Sequence, residues 1–171
     1  MAKKPTTPGA DLEAFHRAAI EQLKERFDLN VVYYKDADVD AAILPLVKVL
    51  NSEWTVSNFS CGGHWKKPRP HPPYVSFSVL PGCNVAWSRI WRRVRVGLRP
   101  HVGEKATIEV FEASRMPGHI RRNVALYFTP LRGRFNPTTH FASEKEWRAT
   151  IFPLVERTRK ALRIAMAQRG L

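Results

Sequence analysis

The chain has 171 residues, about one domain's worth, and 44% of them are hydrophobic, enough to build a core, so wholesale disorder is excluded. Lys and Arg number 28 against 15 Asp and Glu, a net charge of +13 that favours phosphate-bearing partners. No apolar run approaches the roughly 18 residues a membrane span needs, the N-terminus has no apolar signal core, and two cysteines cannot make a disulfide scaffold. The expectation is a cytoplasmic protein with reduced thiols and no membrane partner.

Residues 1–9, with Pro5 and Pro8 and no periodicity, predict a disordered tail, and residues 10–171 a single α/β domain. Leu12, Phe15, Ala19, Leu23 and Phe27 recur at helical spacing over 11–27, behind a capping Asp11. Residues 29–34 read as an extended arm. Ile43, Leu46, Val47 and Leu50 give a helix over about 39–51, with Asp38 or Asp40 placed to favour its N-terminal dipole. A strand over 54–60 leads into the tight loop Cys61-Gly62-Gly63-His64. Four prolines within 66–73 exclude helix and favour polyproline II. Tyr74 to Leu80 alternates as a strand, with Val75, Phe77 and Val79 on one face.

The helix over 84–98 is strongly amphipathic. Trp87, Ile90, Trp91, Val94 and Leu98 share one face, and Arg89, Arg92, Arg93, Arg95 and Arg99 populate the rest. Strands follow over 106–112 and 123–129, around a turn at Met116-Pro117-Gly118. After the basic loop 132–137, a last helix opens at Ser143 with Glu146 completing a capping box, and Pro153 predicts a kink or restart within it.

This order has a rhythm. Helix 39–51 with strands 54–60 and 74–80 is one α-β-β unit; helix 84–98 with strands 106–112 and 123–129 is a second. The fold class is therefore α/β in the broad sense (α+β): a mixed, mainly antiparallel four-stranded sheet with helices packed on it. The pseudo-duplicated halves, 39–80 and 84–129, leave a cleft where their loops meet.

Charge and motif meet at Cys61. Residues 1–60 carry seven basic and nine acidic side chains, whereas 61–171 carry 21 basic and six acidic. Consecutive glycines after a strand turn the backbone sharply and can aim N–H groups at a phosphate. Ser60, Cys61, Gly62, Gly63 and His64, followed by Lys66, Lys67 and Arg69, thus make a candidate phosphate cradle. Arg92, Arg93, Arg121, Arg122, Arg132 and Arg134 are candidate surrounding cations, able to pair bidentately with phosphate. Tyr74, Trp65 and Phe135 can stack on bases or simply pack. Cys61, His64 and His71 have a spacing that can bind zinc, but no fourth ligand is evident and no metal is expected. Cys61 with His64 also has the types, without the orienting third group, of a nucleophile and its base. Histidines 101, 119 and 140 fall in loops. Walker loops, dinucleotide fingerprints and paired catalytic carboxylates are missing.

Asp38-Val39-Asp40, Leu46-Val47, Leu50-Asn51 and Ser60-Cys61-x-Gly63, with the later strand Ala106-Thr107-Ile108-Glu109-Val110, resemble the wybutosine-synthesis methyltransferase family over about 36–130. The resemblance implies a central-sheet fold, S-adenosylmethionine as cofactor, tRNA as substrate, and Ser60, Cys61 and Gly63 in the active cleft. His64 stands where that family has Arg, and the proline-rich 66–73 is foreign to it. The reading of the residues themselves is a binding protein for a small nucleotide or RNA, with sequestration of a small nucleotide signal as one form of it; the alternative is an S-adenosylmethionine-dependent tRNA methyltransferase. Whether a reaction is catalysed, and whether the chain is a homodimer, the sequence leaves open.

Overall fold

The computed structural model describes residues 39–66, 70–80, 82–98, 105–114, 122–130 and 137–168, and four helical positions, Ala14, Arg17, Ala18 and Glu21. Those four fall within the helix expected over 11–27; the rest of that helix, the tail, the arm at 29–34 and the loop residues 115–121 and 131–136 lie outside the described residues.

The elements are α1 (Leu44–Leu50), β1 (Thr55–Cys61), β2 (Tyr74–Val79), α2 (Asn84–Gly97), β3 (Ala106–Ser114), β4 (Arg122–Pro130), a 3-10 turn (Pro137–Thr139) and α3 (Glu144–Ala167). The four strands form one antiparallel sheet in the order β1-β2-β4-β3. Two α-β-β units are therefore present, joined through their second strands, with the first strand of each at an edge.

The alternation read in the sequence becomes the core. Val75, Phe77 and Val79 of β2 and Val124, Leu126 and Phe128 of β4 point to one face and are buried there. The three helices cover that face. Trp87 and Trp91 of α2 stack with centroids 5.9 Å apart, and Trp87 meets Phe77 edge-on at 5.0 Å. Each such side chain contributes roughly 1.5–3 kcal/mol by leaving water.

Two helices differ from expectation. α1 is only seven residues long, because residues 41–43 form a turn instead. Pro45 has no N–H to donate to the carbonyl of Ala41, so the helical ladder is interrupted after the Leu44–Asp40 bond and resumes with Val47 on Ile43. The Asp40 carbonyl accepts from both Ile43 and Leu44 at 3.0 Å, but its side chain does not cap the helix. Conversely, α3 runs unbroken through Pro153. Pro153 lies on the exposed side of that helix, where a missing N–H costs least. The N-terminus of α3 is as expected: Ser143 Oγ accepts from the Glu146 N–H at 3.2 Å, and Glu146 Oε2 from the Ala142 N–H at 3.0 Å.

The α1–β1 junction is tied by side chains. Asn51 Oδ1 accepts from both the N–H and the hydroxyl of Ser57, each at 2.8 Å, and the Thr55 hydroxyl donates to the Leu50 carbonyl. Asn51 thus acts as a splint that fixes where β1 begins.

Candidate functional site

β1 contains one irregularity with a large consequence. Ser57 pairs with Phe77, but Phe59 pairs with Ser76, so Asn58 is an extra residue in the strand. A bulge of this kind reverses the facing of everything after it. Without it Cys61 would point to the helical face with Ser57. With it, Cys61 lies opposite Tyr74 on the outer face, in a row that continues through Tyr127 to Glu109.

Beyond Cys61 the chain turns through Gly62 and Gly63. Gly63 has φ +85°, and a Cβ there would come within 2.8 Å of Pro73 and 2.9 Å of Trp147. No other residue fits both the backbone and the space. A Cβ on Gly62 would lie 3.0 Å from the Asp40 side chain. The turn then returns through a two-residue bridge: His64 N–H donates to the His71 carbonyl at 2.9 Å, and His71 N–H to the His64 carbonyl at 3.0 Å. The proline-rich segment is pinned at both ends by this bridge.

The bridge brings two imidazoles onto one sulfur. His64 Nε2 lies 3.5 Å and His71 Nε2 3.7 Å from Cys61 Sγ, and the donor atoms of all three residues lie within 4.8 Å of one another. His71 Nδ1 is 3.0 Å from the Pro72 carbonyl, which can only accept. His71 therefore carries its proton on Nδ1 and presents the Nε2 lone pair to the sulfur side. The His64 and His71 rings meet edge-on at 4.7 Å, with Tyr74 behind His71 at 6.1 Å. His64 is exposed, while Cys61 and His71 are half-buried.

The glycine N–H groups are spent internally. Gly62 N–H donates to Asp40 Oδ2 at 2.6 Å, across 22 residues. The Gly63 N–H faces the Cys61 thiol and lowers its pKa, and His64 N–H is in the bridge. The expected cradle for an external phosphate is thus filled by the protein's own carboxylate and thiol. Burial pushes the Cys61 thiol above its usual value, the Gly63 N–H pulls it down, and the Asp40 carboxylate pushes it up again.

The remaining expected site residues do not gather at this loop. Ser60 pairs with Val75 beside Cys61, facing the helical side, and Lys66 is exposed just beyond the loop. Arg93 donates to Gln168 Oε1 at 3.0 Å, at the C-terminal end of α3. Arg122 begins β4. Lys67, Arg69, Arg121, Arg132, Arg134, Phe135, His101 and His119 lie outside the described residues. His140 is exposed after the 3-10 turn and is not in the cluster. Tyr74 stacks on Tyr127 at 5.2 Å and Trp65 lies against Trp147 at 5.9 Å, so both are engaged in packing.

Arg92 belongs to a second region. α2 and the edge strand β3 do not close on each other, and between them runs a groove of about 800 Å³. Trp91, Leu98, Ile108 and Val110 form its apolar wall, and Arg92, Arg95, Ser88, Thr107 and Glu112 supply its polar groups. Arg92 and Arg95 are exposed and make no ion pair or hydrogen bond among the described residues. Reading β3 as a simple paired strand hid this groove; the signal available was Arg92 and Arg95 three residues apart, hence on one side of a helix.

In comparisons with known proteins, no family, no curated protein and no solved structure matches the chain.

Proposed function

We propose that the protein binds a nucleotide, free or as part of RNA, in the groove between α2 and β3. One observation carries this reading: a groove of about 800 Å³ combines an apolar wall with two uncommitted arginines on its rim. A volume of several hundred cubic ångströms, with an apolar wall facing a similar share of polar groups, suits a ligand that carries both an apolar ring and charge. A base lies against Ile108 and Val110, guanidinium groups of Arg92 and Arg95 meet phosphate, and Glu112 accepts from base or ribose donors. The net charge of +13 raises the local concentration of any such polyanion. A cytoplasmic setting, where thiols stay reduced, suits the free Cys61 and Cys83. No described helix is long and apolar enough to cross a membrane.

The test is the double variant Arg92→Ala/Arg95→Ala, measured against a single-stranded RNA across a salt series. Loss of two phosphate contacts lowers affinity by about 10- to 100-fold and reduces the log–log salt slope by roughly 1.4, near 0.7 per contact on a single strand. Equal affinity and slope in the variant overturn the reading. Mass spectrometry of small molecules released from the purified protein separates a free nucleotide from RNA. Calorimetric heat with S-adenosylmethionine would instead favour the tRNA methyltransferase that the Ser60-Cys61-x-Gly63 likeness implies.

A further inference from the structure

The Cys61 cluster stands apart from the groove and is not used by it. We propose that Cys61, His64 and His71 form a zinc site with three protein ligands and a fourth position open to solvent. The proposal rests on the geometry of these three side chains and is independent of nucleotide binding.

The sulfur-to-nitrogen spacing is that of a tetrahedral centre. Zinc bonds of about 2.3 Å to sulfur and about 2.0 Å to nitrogen, at tetrahedral angles, hold S and N about 3.5 Å apart. The two Sγ–Nε2 distances are 3.5 and 3.7 Å. The three donor atoms lie within 4.8 Å of one another, so a modest closing of the two imidazoles, with His64 exposed and able to move, brings all three to bonding distance of one ion.

The surroundings orient the donors as an outer shell does. His71 is held by the Pro72 carbonyl with its Nε2 lone pair inward. An imidazole tied through its other nitrogen to a carbonyl is the usual arrangement of a metal ligand. The backbone bridge between His64 and His71 holds the two residues side by side before any ion arrives. Gly63, which admits no Cβ, and the Asp40–Gly62 bond hold the turn in that shape.

The donor set selects the ion. One thiolate with two imidazoles suits zinc, a borderline-soft ion without geometric preference of its own. A cupric site with the same donors adds a weak axial thioether. Met166, the methionine among the described residues, is buried on α3, and the 19 residues separating it from Trp147 span ~28 Å of helix. Trp147 is the α3 residue that touches the Gly63 turn, so no thioether of the described residues reaches the cluster. The fourth position is left to solvent because no further histidine, cysteine or carboxylate among the described residues joins the cluster, and because His64 is exposed. Such an open position takes a water or an anionic oxygen.

The experiment uses the full chain. Metal analysis after dialysis should find about one zinc per chain, and Co²⁺ added to the apo-protein should give a sulfur-to-cobalt charge-transfer band in the near ultraviolet with tetrahedral bands in the visible. Cys61→Ser should abolish the near-ultraviolet band. His64→Ala, at an exposed position that tolerates truncation, should weaken Co²⁺ binding by more than the roughly 10- to 100-fold that loss of an outer-shell partner costs. Cys83→Ser should change neither. Inorganic phosphate added to the cobalt form should shift the visible bands. Substoichiometric zinc without a charge-transfer band, or a band that survives Cys61→Ser in a protein whose circular dichroism shows it folded, overturns the site. Visible bands indifferent to phosphate overturn the open position.

Discussion

The Cys61 turn and the α2–β3 groove solve opposite problems. At the turn, the backbone N–H groups of Gly62 and His64 are committed to groups of the protein itself, and three titratable side chains are drawn within 4.8 Å of one another. At the groove, two guanidinium groups have no partner among the described residues and stand beside an apolar wall. The first region is preorganised and inward-looking; the second is open and needs a ligand to satisfy it. Buried polar groups must be paired within the fold, whereas exposed arginines can wait for a partner at little cost.

The largest effect expected on this contrast comes from Gly63→Ala. A positive φ together with collisions against Pro73 and Trp147 should destabilise the protein by about 2–4 kcal/mol, read as a lower denaturation midpoint at unchanged slope. If the variant remains folded, RNA affinity should be kept, since the groove is built from other elements. An unchanged midpoint would mean that the turn is looser than its contacts imply.

Next comes a comparison within α2. Arg95→Ala should weaken RNA binding about 10-fold, whereas Arg93→Ala, whose guanidinium already bonds Gln168, should leave it within a factor of about two. Equal losses in both would make the helix a diffuse cationic face and dissolve the groove as a site.

Asp40→Ala should cost about 1–3 kcal/mol, because the buried Gly62 N–H loses its acceptor. Asp40→Asn keeps an acceptor and should restore most of that stability in the same denaturation measurement. If both variants match the parent, Asp40 is not what holds the turn.

The smallest effect lies away from both regions. Glu146 is held below the usual carboxylate range first by the Ala142 N–H and then by Lys105. A depressed carboxylate adds stability that is full above its unfolded value and is lost as pH falls through its folded value. Thermal scans of the parent and Glu146→Gln should therefore differ slightly at neutral pH and converge in acid. A gap that persists in acid would assign the contribution to packing instead.

Much of the fold was legible in local pattern. The alternation Val75, Phe77, Val79 and the helical stripe Trp87, Ile90, Trp91, Val94 each declare one buried face, and Ser143 with Glu146 declares a helix start. The limits of α1 were less so, because the helical spacing of its apolar residues extends past the point where Pro45 removes a hydrogen bond. The candidate site was legible as a segment and not as an arrangement. Cys61, His64 and His71 stood in view with metal-ligand spacing, but so did the reading of the glycines as a phosphate nest, and nothing local chose between them.

By itself, then, the sequence determined the repeated α-β-β order, the buried faces and the excess of cations after residue 61, all of which follow from side-chain periodicity and charge. Only the tertiary structure decided which way Cys61 points, what the glycine N–H groups hold and which arginines remain uncommitted. Those depend on one extra residue in β1, on a carboxylate reaching across 22 residues, and on how closely α2 seats against a strand at the far edge of the sheet. Each is a contact between segments distant in the chain, and such contacts are set by packing and pairing that no short window of sequence contains.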